Sequence, residues 1–189
     1  MKILTFWTLL SLIFCINTKA ASDLTPDYLR CEYLENPFID EKKPRLSWIL
    51  KSEVRNQYQT AYRILVASKV ELLEPGKADL WDSKKTIGDI TSQVVYQGKP
   101  LKSRQKCYWK VQSWDKKGQA GKWSDWATWE MGLLEEDDWK SQWIGKDFSA
   151  NTQPIPYKNK ELFLPPSPIL RKKIALANKV AKARLYVTS

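Results

Sequence analysis

The sequence predicts an all-β chain built on an immunoglobulin-like sandwich. Three observations carry this. Short stretches of alternating apolar and polar residues recur between positions 29 and 131. Turn residues separate them at short intervals, as in Asn36-Pro37, Pro75-Gly76 and the loop around Gly118. No segment keeps a helical period, and nothing indicates a parallel α/β sheet or a helical bundle. About seven short strands over roughly 110 residues are the pattern of such a sandwich. A domain of that size buries a real core.

The strand candidates follow in order. Leu29–Leu34 precedes the turn pair Asn36-Pro37. "PRLSWIL" (44–50) sets Leu46, Trp48 and Leu50 on one face. "AYRILVAS" (61–68) is apolar on both sides, with Tyr62, Ile64 and Val66 opposite Ala61, Leu65 and Ala67, which suits a central strand. Ser68 and Glu71 fit a capping box for one helical turn reaching Leu73. "DLWDS" (79–83) and "SQVVYQG" (92–98) are short strands. "KCYWKVQSW" (106–114) is the longest alternation, with Cys107, Trp109, Val111 and Ser113 opposite Tyr108, Lys110, Gln112 and Trp114. "DKKGQAGK" (115–122) is a hairpin loop, and "WSDWATWEM" (123–131) is the returning strand.

The predicted domain spans residues 21–132. Residues 133–146 form a connector with apolar anchors at Trp139 and Trp143-Ile144. Residues 147–168 are proline- and asparagine-rich and look irregular. "ILRKKIALAN" (169–178) and "VAKARLYVTS" (180–189) are expected to be two strands. Two strands cannot close a sheet. The tail therefore docks elsewhere or belongs to a longer protein.

Residues 1–20 carry a positive start at Lys2, an apolar run from Ile3 to Ile16 and a close on Thr18-Lys19-Ala20. That is the form of a secretory leader, and the run is too short to span a bilayer. Lipid attachment at Cys15 is disfavoured by the bulky Phe14 before it. The mature chain is thus expected to be exported, with no membrane span. The whole chain is formally +10, and setting aside Lys2 and Lys19 leaves +8. Residues 151–189 hold eight basic side chains against Glu161, or +7, so the body keeps only +1. A nucleic-acid-binding face needs a basic stripe on the folded domain, and the body has none. Arg171-Lys172-Lys173, the one tight basic cluster, fits a solvated strand edge.

Histidine is absent. This removes Ser-His-Asp and Cys-His nucleophilic catalysis and histidine general-base chemistry. No glycine-rich phosphate loop is present, and no cofactor is implied. Cys31 and Cys107 either pair, as an exported protein allows, or sit apart as buried hydrophobes. Two cysteines without histidine do not supply a zinc ligand set, so no metal is expected. The only concentrated acids are Glu135-Glu136-Asp137-Asp138. Glycoside hydrolysis needs two carboxylates facing each other across a substrate; four adjacent acids read as a solvated connector. No catalytic residue is expected in this chain.

Ten tryptophans, nine of them beyond Trp7, are the remaining signal. Three stand in "GKWSDWATW" (121–129). On one continuous strand Trp123 and Trp129 share a face with Asp125, Ala127 and Met131, and Trp126 takes the other. The neighbouring strand is expected to be 106–114. Trp129 should then pack inward near Trp109, and Trp126 should lie outside, stacked with Lys110. Trp126 is thus the one weak candidate for a binding contact. "WSDWA" also resembles the Trp-Ser-x-Trp-Ser motif of cytokine-receptor modules, where tryptophans and basic side chains interleave. The fifth position here is Ala127 and the receptors' paired cysteines are missing, so only the geometry is kept as a clue.

Several segments, in this order and spacing, resemble the N-terminal region of bacterial α-L-rhamnosidases. They are "CEYLENPFIDEKKPRLSW" (31–48), "QTAYRILVAS" (59–68), "LWDSKK" (80–85), "CYWKVQSWDKKG" (107–118), "WSDWATWEMGLL" (123–134), "DWKSQWIG" (138–145) and "PILRKKI…KARLYVTS" (168–189). The resemblance implies a fibronectin type III-like first domain, followed by the incomplete start of a jelly-roll-like β-sandwich in 147–189. It also implies a helical barrel elsewhere in the polypeptide that carries the carboxylates for inverting removal of terminal L-rhamnose. The implied partners are those further domains and rhamnose-containing glycans. "NPFID" (36–40) is one residue shorter than the family's usual turn, and Cys107 stands where the domain type usually places a corner tyrosine. The alternative reading is a free-standing module that binds glycans or a protein through exposed tryptophans.

Overall fold

A computed structural model describes residues 22–145, 155–157, 160–162, 169–181 and 183–187. Residues 1–21, the expected leader among them, and most of 146–168 lie outside the described residues. The chain divides into two compact units, Met1–Lys140 and Ser141–Ser189.

Among its described residues the first unit is built of strands, with two short 3₁₀ turns. Its strands are β1 (Thr25–Cys31), β2 (Phe38–Ile39), β3 (Arg45–Lys51), β4 (Ala61–Ala67), β5 (Trp81–Asp82), β6 (Thr86–Ile87), β7 (Val94–Val95), β8 (Lys106–Trp114), β9 (Ala120–Trp123) and β10 (Ala127–Met131). One sheet has the order β1-β3-β7. The other runs β2-β10-β8-β4-β5, with β6 also on β4 and β9 also on β8. All these pairings are antiparallel except β2 on β10, which is parallel.

Period-two burial is regular on β8, where Cys107, Trp109, Val111 and Ser113 are buried and their neighbours are not. The core between the sheets joins those residues to Leu46 and Trp48 of β3, Ile64 and Val66 of β4, and Trp129 and Met131 of β10. β4 is central, as its two apolar faces predict. Leu65 and Ala67 feed a second small core with Leu73, covered by Leu72, Ala78, Tyr108 and Trp123. Gln59 supplies a buried polar tie between the sheets. Its Oε1 accepts from Trp48 Nε1 at 3.2 Å and Ser113 Oγ at 2.7 Å, and its Nε2 donates to the Ile90 carbonyl at 2.9 Å. An amide in that position satisfies three partners where an apolar residue would strand two.

Turn chemistry explains where several strands stop. β1 ends at Cys31 rather than continuing to Leu34. Glu32 and Tyr33 both have positive φ (48° and 64°), and Cys31 and Leu34 exchange backbone hydrogen bonds across them. Glu32 is held there by Arg45, whose backbone N–H and guanidinium both donate to its carboxylate. Asn36 binds β2 to β10, its Oδ1 accepting from Thr128 N and Oγ1 at 2.9 and 3.0 Å. In the 115–119 loop, Asp115 Oδ1 accepts from the N–H groups of Lys117 and Gln119, both at 2.9 Å. Gly121 is required for space, because a Cβ there would lie 1.9 Å from the Leu24 carbonyl oxygen. The Tyr96 hydroxyl donates to the Lys99 carbonyl at 2.8 Å, a corner-type bond made just after β7 and not from the strand of Cys107.

One local expectation is corrected and two others gain detail. The capping box at Ser68 does not form. Asp79 takes both the Ser68 N–H (2.9 Å) and hydroxyl (2.6 Å), so the helical turn shrinks to a 3₁₀ turn, Val70–Leu72, capped at Lys69 without a side-chain bond. The acidic run does form a cap: Glu135 and Asp138 make a capping box around the 3₁₀ turn Glu136–Asp138, with Asp138 also bonded to the Ser103 hydroxyl. Cys31 and Cys107 are free, buried thiols of the main core.

In the second unit, β11 (Ile155–Tyr157) pairs antiparallel with β12 (Lys160–Leu162), inside the segment expected to be irregular. The expected strands at 169–178 and 180–189 carry no ladder among described residues 169–181 and 183–187. Alternation makes a strand only when another layer buries one face. Here Ile169 and Leu185 remain 94% and 84% exposed. Arg171-Lys172-Lys173 is exposed but edges no strand. Among the described residues no helix is long and apolar enough to cross a membrane.

Candidate functional site

The stretch 123–131 is two strands, not one. Trp123 pairs with Gln112, and Ala127 pairs with Trp109. Four steps on one chain therefore oppose three on β8, which is one extra residue. Ser124 accommodates it. Its N–H donates to the Val111 carbonyl at 2.9 Å, and its Oγ accepts from Val111 N–H at 3.0 Å in place of a backbone carbonyl. The extra residue reverses the parity, so Trp123 lies on the outer face with Trp126, and only Trp129 turns inward.

Trp129 is fully buried, two positions diagonally from Trp109 on the same inner face, and edge-on to Tyr96 at 6.0 Å. That placement agrees with the sequence reading. Trp126 lies outside, 53% exposed. Its partner is Tyr108, ring centroids 5.6 Å apart at 67°, and not Lys110. Lys110 instead sets its ammonium 4.9 Å from the Trp123 ring. Burial lowers the Lys110 pKa, with Glu74 opposing the shift. Lys106 stands 4.9 Å above the Tyr108 ring. The outer face of β8, β9 and β10 thus carries a ridge in which cations and rings interleave: Lys106, Tyr108, Trp126, Lys110, Trp123.

The ridge is poorly shaped for stacking a sugar. Tyr108 and Trp126 meet edge to face, and Trp123 is covered by a lysine, so no two rings make one flat surface. One ring face at Trp126 remains open. Hydrolysis has no better footing among the described residues. A glycosidase acid needs a carboxyl whose pKa is raised. Every carboxyl here with a resolved shift is displaced downward. Asp82 is lowered most, by the Arg63 guanidinium and then Lys84 against an opposing effect of burial. Hydrogen bonds hold Asp23, Asp27, Glu32, Glu74 and Asp138 low. At Asp79 and Asp115 burial pushes upward, but hydrogen bonds outweigh it. No group of three His, Cys, Asp or Glu among the described residues is placed to hold a metal ion.

Two antiparallel sheets facing each other over one core, with nearly all the secondary structure in strands, define an immunoglobulin-like domain. Residues 26–135 match the family described as the Rha78A-like, N-terminal immunoglobulin domain, and the chain belongs to that family. An alpha-L-rhamnosidase of Formosa agariphila is 36% identical over 188 residues, covering 99% of this chain and 20% of that relative. One from Alteromonas sp. is 36% identical over 195 residues, covering 98% and 20%. The solved alpha-L-rhamnosidase of Dictyoglumus thermophilum superimposes with a TM-score of 0.65 at 34% identity, covering 71% of this chain and 15% of that one. The chain is homologous to the N-terminal region of alpha-L-rhamnosidases and spans about a fifth of the length of the curated relatives it matches.

Proposed function

We propose that the chain is the N-terminal, non-catalytic part of an exported α-L-rhamnosidase that removes terminal α-L-rhamnose from plant glycans or glycosides, and that it is inactive alone. The observation that carries this reading is similarity to rhamnosidases along 99% of the chain, against only 20% of their length. Residues 1–20 then form the secretory leader, 21–132 the sandwich, 133–146 a connector and 147–189 the opening of a jelly-roll-like second domain. The reacting carboxylates belong to a helical barrel elsewhere in the polypeptide. The carboxyls with a resolved shift are lowered, the direction opposite to the one a glycosidase acid needs, which supports a scaffold role.

The test exchanges residues 21–189 for the matching segment of the Formosa agariphila enzyme. The chimaera should release p-nitrophenol from p-nitrophenyl α-L-rhamnoside, and the chain alone should release none. Release by the chain alone, or a folded but inactive chimaera, overturns the reading. A second reading, a free-standing glycan- or protein-binding module, is favoured by the exposed Trp126. It requires a fluorescence change on titration with rhamnosylated oligosaccharides that Trp126→Ala abolishes.

A further inference from the structure

The sandwich has an open edge where β5 and β6 face β7, and the two sheets part there into a cleft of about 190 Å³. Tyr62 and Trp81 form its aromatic walls, with Asp82, Ser83, Thr86 and Gln97 along the polar side. Both rings are fixed from behind by buried aromatics. Trp48 packs on Tyr62 at 5.4 Å, and Tyr96 meets Trp81 edge-on at 5.4 Å. The walls are therefore set before anything binds.

The polar groups fall into two sets. Asp82 accepts from Arg63 Nε (2.9 Å), Arg63 Nη2 (2.7 Å) and Lys84 Nζ (2.8 Å), and Ser83 Oγ accepts from Ile64 N–H (2.8 Å). These are committed to holding the cleft's shape. The Tyr62 hydroxyl, the Trp81 indole N–H and the Gln97 amide make no side-chain hydrogen bond within the described chain. Two rings with free polar edges and one free amide are the groups that recognise a polyhydroxylated ring: apolar C–H faces lie on aromatics, and hydroxyls meet planar donors and acceptors. The carboxylate is already neutralised by two cations, so nothing in the cleft asks for a charged ligand. The volume lies below the ~300–1,000 Å³ of drug-sized sites, which leaves room for one ring and not for a chain.

We propose that this inter-sheet cleft is a binding subsite for a single neutral pyranose, free or at the end of a glycan, with Tyr62 and Trp81 as walls and Gln97 as the orienting amide. The inference holds whether the chain works within a hydrolase or alone, so failure of one reading leaves the other standing.

The test is a ¹H–¹⁵N titration of the full chain with methyl α-L-rhamnopyranoside and methyl β-D-glucopyranoside, using glycerol as the control. The Trp81 indole N–H should shift saturably with at least one glycoside, with a Kd of about 1–10 mM, typical of a weak single-ring site. Gln97→Ala, at an exposed position, should weaken binding about tenfold and leave the remaining spectrum in place. Trp81→Phe removes this reporter, so that variant is followed at the Gln97 side-chain amide, whose saturable shift should be lost, and Trp139→Ala, at an exposed position, should leave binding unchanged. Linear shifts shared with glycerol overturn the proposal. So does saturable binding that survives Gln97→Ala at full strength, or that disappears in Trp139→Ala.

Discussion

Trp129 loses all its surface on folding while Trp126 keeps about half of its own. Both sit in one nine-residue stretch, so the difference is a test of facing rather than of residue type. Trp129→Ala opens a hole between Trp109, Tyr96 and Cys107 and should cost roughly 3–5 kcal/mol. Trp126→Ala gives up one edge-on contact with Tyr108 and should cost about 1 kcal/mol or less. Denaturant unfolding of the two variants measures both, and equal small losses would show the facing to be wrong. The Trp129 indole N–H has no acceptor in the core. Trp129→Phe should therefore cost much less than Trp129→Ala, since it removes an unpaired donor along with some volume. The thiols give a second check at this scale. Burial raises the Cys107 pKa to about 12 and pushes Cys31 higher still. In a chain lacking residues 1–20, and with them Cys15, neither should react with a thiol reagent at pH 8 until denaturant is added, when both should titrate without reductant. A native signal, or none after unfolding, would contradict free buried thiols.

Strands were legible where their pattern was long. β8 follows from its alternation alone, burying every second residue over nine, and β4 follows from its apolar residues on both faces, four consecutive ones being buried. β2 and β6 escaped because two residues have no period to read. β9 and β10 were merged because one inserted residue at Ser124 leaves the composition unchanged yet reverses every face before it. The signal was present in Ser124-Asp125, a polar pair between two tryptophans, but only the register makes it a bulge. Trp126 was therefore placed correctly, and its neighbour Lys110 was not. β5 shows how a two-residue strand is held. Asp82 on β5 is paired with Arg63 on β4, its side chain only 10% exposed. Its folded pKa lies below the ordinary 3.8. A depressed carboxyl pKa stabilises the fold above the unfolded value, and the contribution is lost as pH falls through the folded value. Asp82→Asn should thus lower the Tm at pH 7, and the gap from the parent should narrow below about pH 3.8. A gap unchanged down to pH 2 would assign the loss to packing instead of charge.

At the scale of the molecule the two units are built differently. Most of the buried hydrophobic residues of the first close into a main core and a smaller second cluster. In the second, Trp143, Ile144, Ile174, Leu176 and Val187 are all exposed, along with Ile169 and Leu185. So many exposed apolar side chains in one unit suit residues that a further layer would cover, and the relatives are about five times as long as this chain. The sequence showed this division as a change from spaced strands to a proline-rich, basic segment. It could not show the missing ladder among described residues 169–181 and 183–187, because alternation alone does not say whether a partner strand is present. The energetic consequence is that the first unit should carry the stability by itself. A chain ending at Lys140 should unfold cooperatively, with a Tm within a few degrees of the full-length chain, since no residue of the first unit's core is removed. It should also bind much less of a hydrophobic dye such as ANS. If the shortened chain fails to fold, or if its dye binding equals that of the full chain, the first unit is not self-sufficient and the exposed apolar surface lies elsewhere.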